Sequence, residues 1–302
     1  MVRLALITVQ VLLASLAIAG RVVLPVVPPA VLVSFRILGA ALALVTLNLA
    51  RRGPWIRDPA LLLRLAAGGL LGVTANQSLF LFGLRHTTAV NAAILVTTVP
   101  VFTVLGSLLF RTEPASPLKL AGIALAGAGA VYLVGPERLS LAPGMALGNL
   151  LILIGMLCYA GYLLLLRPVV ARHDPVAASA LVMLFAALAV LPLSLPALAG
   201  ARLSGLSGRT WLLVGYIVVG PTVGAYLLNL WALKRVSSNT VAAFVYLQPL
   251  FTALAAPLFL PGEQLTPRTV VAGLAIFSGL GLVLRAEQRQ RLPLAVGPGL
   301  GE

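Results

Sequence analysis

Acidic residues and cysteine are scarce in this chain, and each shortage excludes a class of protein. Seven Asp and Glu occur in 302 residues, and charged residues of both signs make up 9 %, against roughly a quarter in soluble domains. The single cysteine, Cys158, excludes a disulfide framework and a cysteine-based metal site. The two histidines, His86 and His173, fall in predicted loops on opposite faces, so we expect no metal site and no cofactor. The composition excludes a soluble globular protein.

Hydrophobic residues are abundant, at 60 % of the chain with a mean hydropathy of +1.07. Apolar runs of about 20 residues, the length that crosses a hydrocarbon core ~30 Å thick, recur from end to end. They are too long and too continuously apolar for barrel strands. The sequence therefore predicts an all-α integral membrane protein with ten transmembrane helices. The predicted spans are 4–24, 30–50, 61–83, 88–110, 118–135, 144–166, 176–198, 210–232, 239–260 and 268–285.

The distribution of basic residues predicts the orientation of these spans. A net charge of +14 is scattered over short loops, so we expect contact with membrane lipid and none with nucleic acid. If the N-terminus is cytoplasmic, 14 of the 21 Lys and Arg lie on the cytoplasmic side, six on the other side, and Arg36 within a span. The positive-inside rule then places both termini in the cytoplasm, in a cytoplasmic (inner) membrane. The first 20 residues also fit a cleaved signal peptide, but their counterpart in the second half favours an uncleaved first span.

The counterpart of the first span lies in the second copy of an internal repeat. The segment LRHTTAVNAAILVTTVPVFT (84–103) aligns with LKRVSSNTVAAFVYLQPLFT (233–252), 149 residues later. Each copy holds five spans, so the second copy must enter the membrane from the opposite side. The expected units are a first repeat over 1–137, an inverted second repeat over 138–285 and a disordered cytoplasmic tail over 286–302.

Inverted repeats of this kind surround a central binding site near the bilayer midplane in many secondary transporters. Pro100 and Pro249 align with each other near the middle of spans 4 and 9. A proline bends a helix and frees the carbonyl four residues earlier, here Val96 and Val245. An ordinary membrane-helix kink explains one such proline, whereas a matched pair favours bends that line a central cavity.

Polar and aromatic residues gather around these prolines. Interhelical hydrogen bonds explain any one of them, but as a set they fit the lining of a site for a small organic molecule. Arg36 attracts an anionic substrate or else snorkels to the surface. The candidate substrate-binding residues are Arg36, Asn76, Gln77, Phe80, Asn91, Thr97, Thr98, Tyr159, Tyr226, Tyr246 and Gln248, with Pro100 and Pro249 as kink or gating positions. Tyr162 and Asn229 are further candidates.

Every acidic residue falls at a span end, in a loop or in the tail. A proton-driven antiporter normally places an ionisable group inside the membrane, so the sequence gives proton coupling little support. A membrane enzyme would need an acidic metal cluster or a paired nucleophile and base. Neither pattern occurs, so we expect a protein that is not an enzyme.

The whole pattern resembles the EamA-type branch of the drug/metabolite transporter superfamily. The resemblance rests on the two inverted five-span halves, the spacing of Arg21, Pro29 and Arg36, the fourth span AAILVTTVPVFT, and Glu113 or Glu263 before a glycine-rich closing helix. It implies alternating-access export of amino-acid-like or aromatic metabolites by a monomer. An antiporter of lipophilic or cationic drugs is the alternative. Small four-span relatives use a membrane Glu in their first helix for proton coupling, and TVQVLLASLAIAG lacks one.

Overall fold

The computed structural model describes residues 1–114, 116–201, 203–259 and 266–291. Within them, ten helical spans are long and apolar enough to cross a membrane. In chain order they are α1 (Val2–Val23), α2 (Pro29–Ala50), α3 (Pro59–Leu84), α4 (Val90–Leu109), α5 (Pro117–Val134), α6 (Pro143–Arg172), α7 (Pro175–Ala199), α8 (Gly208–Leu233), α9 (Ser238–Phe259) and α10 (Pro267–Gln290). The predicted all-α architecture with ten spans is confirmed.

Proline and short polar residues set where the spans begin. Six spans, α2, α3, α5, α6, α7 and α10, start at a proline, which suits the first helical position because its missing N–H has no intrahelical partner there. The side chains of Asp58 and Asp174 accept bonds from the first turns of α3 and α7. Serine or threonine side chains cap α4, α5, α8 and α9 in the same way. Leu63, Leu212 and Leu258 remain 72–79 % exposed on the outer surface, as expected of a surface that faces lipid.

The two halves pack against each other through equivalent sets of helix contacts. The first helix of one half lies on the broken helices of the other: α1 contacts α8 and α9, and α6 contacts α3 and α4. The most extensive contacts between the halves pair a helix with its own counterpart, α2 with α7 and α5 with α10, and further contacts join α3 to α7 and α2 to α8.

Helices α5 and α10 run antiparallel, which establishes the inverted relation between the halves. A Cβ on Gly122, near the start of α5, would lie 2.6 Å from the Gly279 carbonyl, late in α10. A Cβ on Gly129, late in α5, would lie 3.0 Å from the Ala272 carbonyl, early in α10. Glycine is needed at these crossings because no side chain fits between the backbones.

Four spans are interrupted, in two matched pairs. Helix α3 turns π-helical over Leu70–Ala75 and α8 over Val218–Gly224, and these segments are equivalent under the 149-residue offset. Helix α4 breaks between Val96 and Val99, and α9 contains a 3-10 turn over Phe244–Tyr246. π-helical segments are rare and are frequent at functional sites.

One expectation about the ends of the spans is wrong. Helix α10 continues to Arg291, so residues 286–291 are helical rather than disordered, while 292–302 and Glu263 lie outside the described residues. Lys119, in the first turn of α5, is fully buried and contacts Glu287 of α10 at 3.2 Å. The helix extends because this buried pair ties its last turns to α5.

Candidate functional site

Tyr226 links the two regions of π-helical backbone. The Tyr226 hydroxyl, just after the segment in α8, donates to the Gly72 carbonyl of the segment in α3 at 3.1 Å. Gln77 Nε2 donates to the same hydroxyl at 3.4 Å. Gln77 and Tyr226 are 149 residues apart and therefore equivalent in the repeat. Two equivalent residues in contact lie on the pseudo-two-fold axis, so this contact marks where the axis that relates the two halves passes.

A tyrosine layer extends from this point to α6. The Tyr162 ring lies 6.3 Å from the Tyr226 ring, edge to face, and 5.5 Å from Tyr159, stacked. Asn229 Nδ2 donates to the Tyr159 hydroxyl at 2.7 Å. A Cβ on Gly72 would overlap the Tyr162 ring, so only glycine lets the ring pack against the π-helical turn of α3.

Arg36 approaches the same layer from α2. Its Nε donates to Thr222 Oγ1 at 3.1 Å, and Thr222 donates in turn to the Ile217 carbonyl at 2.9 Å. The guanidinium lies within electrostatic reach of Tyr226, and Arg36 as a whole residue is half-buried. Among the described residues no carboxylate lies within ion-pair distance of it. Arg36 therefore points inward, as one of its two sequence interpretations required, with its positive charge uncompensated.

Several buried polar atoms in this region have no hydrogen-bond partner in the described part of the chain. They are Gln77 Oε1, the Tyr162 hydroxyl and, on α1, Gln10 Oε1. A buried polar atom costs about 1–3 kcal/mol when left unsatisfied, so native proteins usually supply it with water or ligand. We call Arg36, Gln77, Tyr159, Tyr162, Thr222 and Tyr226 the central cluster.

Of the predicted site residues, the structure brings Arg36, Gln77, Tyr159 and Tyr226 into this cluster. Asn76 lies beside it but donates to the Gly155 carbonyl of α6 at 2.9 Å, a helix-packing contact. Phe80, one turn further along α3, packs half-buried against the hydrophobic core.

The other predicted residues lie away from the cluster. Asn91 sits at one end of the bundle, where it exchanges hydrogen bonds with the Ser140 backbone at 2.7 and 3.0 Å. Tyr246 is 1 % exposed and its hydroxyl packs against Gly127 of α5. Gln248 is half-buried. Their binding roles stay predictions.

The two prolines follow the breaks in α4 and α9 rather than cause a kink inside a continuous helix. Pro100 occupies the second position of the helix Val99–Leu109, where its missing N–H costs little. Thr97 and Thr98 turn their hydroxyls back to the Ile94 and Leu95 carbonyls at 2.6 Å. These threonines therefore satisfy backbone oxygens at the break, and Pro249 likewise stands in the first turn of Leu247–Phe259.

Sequence reasoning missed Thr222 and Gly72. Neither residue type is unusual in a membrane helix. Their equivalent positions in the repeat, Val73 and Pro221, share no side-chain chemistry with them. The signal that could have found them is Pro221 itself, since a proline inside an apolar span marks a disturbed helix.

Comparison with known proteins agrees with this architecture. A sequence profile described as the EamA-like transporter family matches residues 2–135 and 146–285. An uncharacterized transporter of Archaeoglobus fulgidus is 30 % identical over 230 residues, which cover 76 % of this chain and 78 % of the relative. The uncharacterized transporter YyaM of Bacillus subtilis is 22 % identical over 227 residues, 74 % of this chain and 73 % of the relative.

A solved crystal structure has the same fold. It superposes with a TM-score of 0.78 over 95 % of this chain and 98 % of the other, at 21 % identity. The profile covers both halves of the chain, and ten spans make it a multi-pass membrane protein. The protein belongs to the EamA-like transporter family, which is a family of transporters and not of enzymes.

Proposed function

We propose that this transporter exports small amino-acid-like or aromatic metabolites by alternating access, binding them at the central cluster. The observation that carries the proposal is the Arg36 guanidinium, which lies within electrostatic reach of Tyr226 and has the neutral Thr222 hydroxyl as its described hydrogen-bond partner. A charge inside the membrane is costly unless something pairs with it. A substrate carboxylate supplies that partner, through the paired donors that make guanidinium a good carboxylate ligand.

The rest of the cluster fits the remainder of such a molecule. The Gln77 Oε1 atom is a buried acceptor without a partner among the described residues, and it suits an ammonium or amide N–H. Tyr159, which is half-buried and stacked on the fully buried Tyr162 ring, offers an aromatic surface for a side chain. A carboxylate, a nitrogen donor and an apolar or aromatic body together describe an amino-acid-like compound.

An antiporter of lipophilic or cationic drugs is less well supported. Such a substrate needs an acidic or wholly neutral site, whereas the described central cluster carries one positive charge and neutral groups. We further propose that the protein acts as a monomer with both termini in the cytoplasm. The side that carries the termini would then be the side from which the metabolite is loaded.

A thermal-shift screen of the purified protein tests the substrate class. The informative set holds one aromatic body constant: phenylalanine, its decarboxylated amine, its deaminated acid and a cationic dye. A ligand at 100 times its Kd stabilises by about 2.7 kcal/mol, so we expect shifts for phenylalanine and a smaller one for the acid. Stabilisation by the amine and the dye alone would overturn the proposal and favour drug export.

A further inference from the structure

The first turn of α9 is held by carboxylates at the end of the bundle that carries both termini. We call this end the terminal face. The Glu113 carboxylate accepts from the backbone N–H groups of Ser238 and Asn239 at 2.6 and 3.2 Å. Glu287 accepts from Ser237 N at 3.2 Å, and Thr240 N donates to Ser237 Oγ at 3.2 Å. All four N–H groups of this turn thus have side-chain partners, three of them charged, and negative charge is favourable at a helix N-terminus.

These contacts join the two repeats. Glu113 belongs to the first repeat, in the connection between α4 and α5, whereas α9 belongs to the second. Lys119 of α5 completes the group with Nζ 3.2 Å from Glu287 and 3.3 Å from Ser237 Oγ. The Lys119 side chain is 1 % exposed, and a buried charge of this kind is stable only while its partner remains in place.

Burial along α9 shows that this helix is tightly packed at the terminal face. Residues 238–247 are all buried, and Asn239 Nδ2 donates to Ser107 Oγ of α4 at 2.9 Å. The equivalent stretch of α4, over residues 90–98, lies at the opposite face and is packed less completely, since Val90, Ala93 and Val96 are half-buried. Of these two broken helices, α9 at the terminal face is therefore the more tightly packed.

The opposite face carries the repeat counterpart of the charged pair, whose described hydrogen bonds do not reach the broken helix α4. Glu137, 150 residues before Glu287, accepts two bonds from Arg268 at 2.6 and 2.9 Å. Glu137 is exposed, and the hydrogen bond from Arg268 lowers its pKa to about 2. Among the described contacts, the first turn of α4 is capped by the neutral Thr88 hydroxyl. Within the described residues, only the terminal face combines a charged pair with carboxylates that accept bonds from the first turn of a broken helix.

We propose that Glu113 and the Lys119–Glu287 pair form a latch that closes the terminal face on α9. When this face opens, α9 must break its bonds to Glu113 and the bonds that Ser237 and Thr240 make to Glu287. Helices α5 and α10 stay together, because their glycine crossings leave no space for sliding. The inference rests on membership in a transporter family and not on the proposed substrate.

A cysteine reporter tests the latch without knowledge of the substrate. In a Cys158→Ser background, Ala243→Cys places a thiol on α9, at a site that is fully buried, about one turn beyond the latch. Sealed vesicles are treated from the terminal-face side with a membrane-impermeant methanethiosulfonate reagent. Glu113→Gln keeps the shape and removes the charge, and we expect labelling to accelerate on the order of tenfold, which corresponds to about 1.4 kcal/mol. Glu137→Gln, the matched control at the opposite face, should leave the rate unchanged.

A second measurement separates release of α9 from general loosening. Cysteines at Ser107 and Asn239, whose side chains touch, are first joined by a short bifunctional thiol reagent. The cross-link should restore protection of residue 243 in the Glu113→Gln protein. If that variant is unstable, Glu113→Asp, which shortens the reach and keeps the charge, should give intermediate labelling. An unchanged rate in both Glu113 variants, or acceleration that the cross-link does not reverse, would show that the carboxylates only stabilise the fold.

Discussion

Replacing Arg36 by glutamine distinguishes the two roles proposed for it, because its guanidinium has the neutral Thr222 hydroxyl as a partner and no carboxylate partner among the described residues. Glutamine is polar and shorter, and it removes the positive charge together with the 3.1 Å bond to Thr222. If a substrate carboxylate binds Arg36, the variant loses affinity for ligands that carry a carboxylate. If Arg36 serves packing alone, the variant loses folding stability instead.

The expected magnitudes differ enough to tell these cases apart. A hydrogen bond to a charged group contributes about 1.5–3 kcal/mol, so the affinity for a carboxylate ligand should fall roughly 10- to 150-fold at 1.4 kcal/mol per factor of ten. The bond to Thr222 also involves a charged group, so losing it costs the fold about 1.5–3 kcal/mol. Removing an arginine from the membrane interior returns about 2.5–3.5 kcal/mol on insertion scales. The Tm of the ligand-free protein should therefore not fall.

Ligand-induced thermal shifts measured with phenylalanine and with its decarboxylated amine provide the assay. Arg36→Gln should abolish the difference between the two ligands by weakening phenylalanine alone. Arg21→Gln is the matched control, since it makes the same chemical change on an exposed residue near the end of α1. Equal weakening of both ligands, or a large drop in the Tm without ligand, would refute the assignment of Arg36 to a carboxylate.

Three further outcomes are expected. Gly72→Ala should displace the Tyr162 ring, whose position a Cβ would overlap, and lower stability by about 1–3 kcal/mol. Aromatic ligands should then no longer shift the Tm. An unchanged Tm would show that the π-helical turn rearranges without cost. In a Cys158→Ser background, His86→Cys and Arg235→Cys, equivalent and exposed positions, should react with an impermeant reagent from opposite sides of the membrane, and reaction from one side would disprove the inverted topology. Transport into proteoliposomes should persist after the pH gradient is collapsed, since the described central cluster holds no carboxylate; complete dependence on the gradient would reveal a proton route elsewhere.

The sequence by itself determined the helices and their repeat. Runs such as LVTTVPVFTVLG specify a membrane helix locally, because lipid requires every backbone group to bond within the segment. The aligned prolines and the odd number of spans per copy fixed the inverted relation in the same way. Four residues of the central cluster, Arg36, Gln77, Tyr159 and Tyr226, were identifiable because polar side chains are costly in an apolar span.

Tertiary structure alone decided which polar residues meet. Tyr246 and Asn91 carry the same kind of sequence signal as Tyr226 and Gln77, but the helix rotation set by packing against α5 and α6 turns them elsewhere. Lys119 and Glu287 are 168 residues apart, and in the sequence they lie near a loop and in the tail. They meet only because α5 and α10 cross at their glycines. Local periodicity records how one helix faces lipid, whereas a contact between distant segments depends on how all ten helices pack at once.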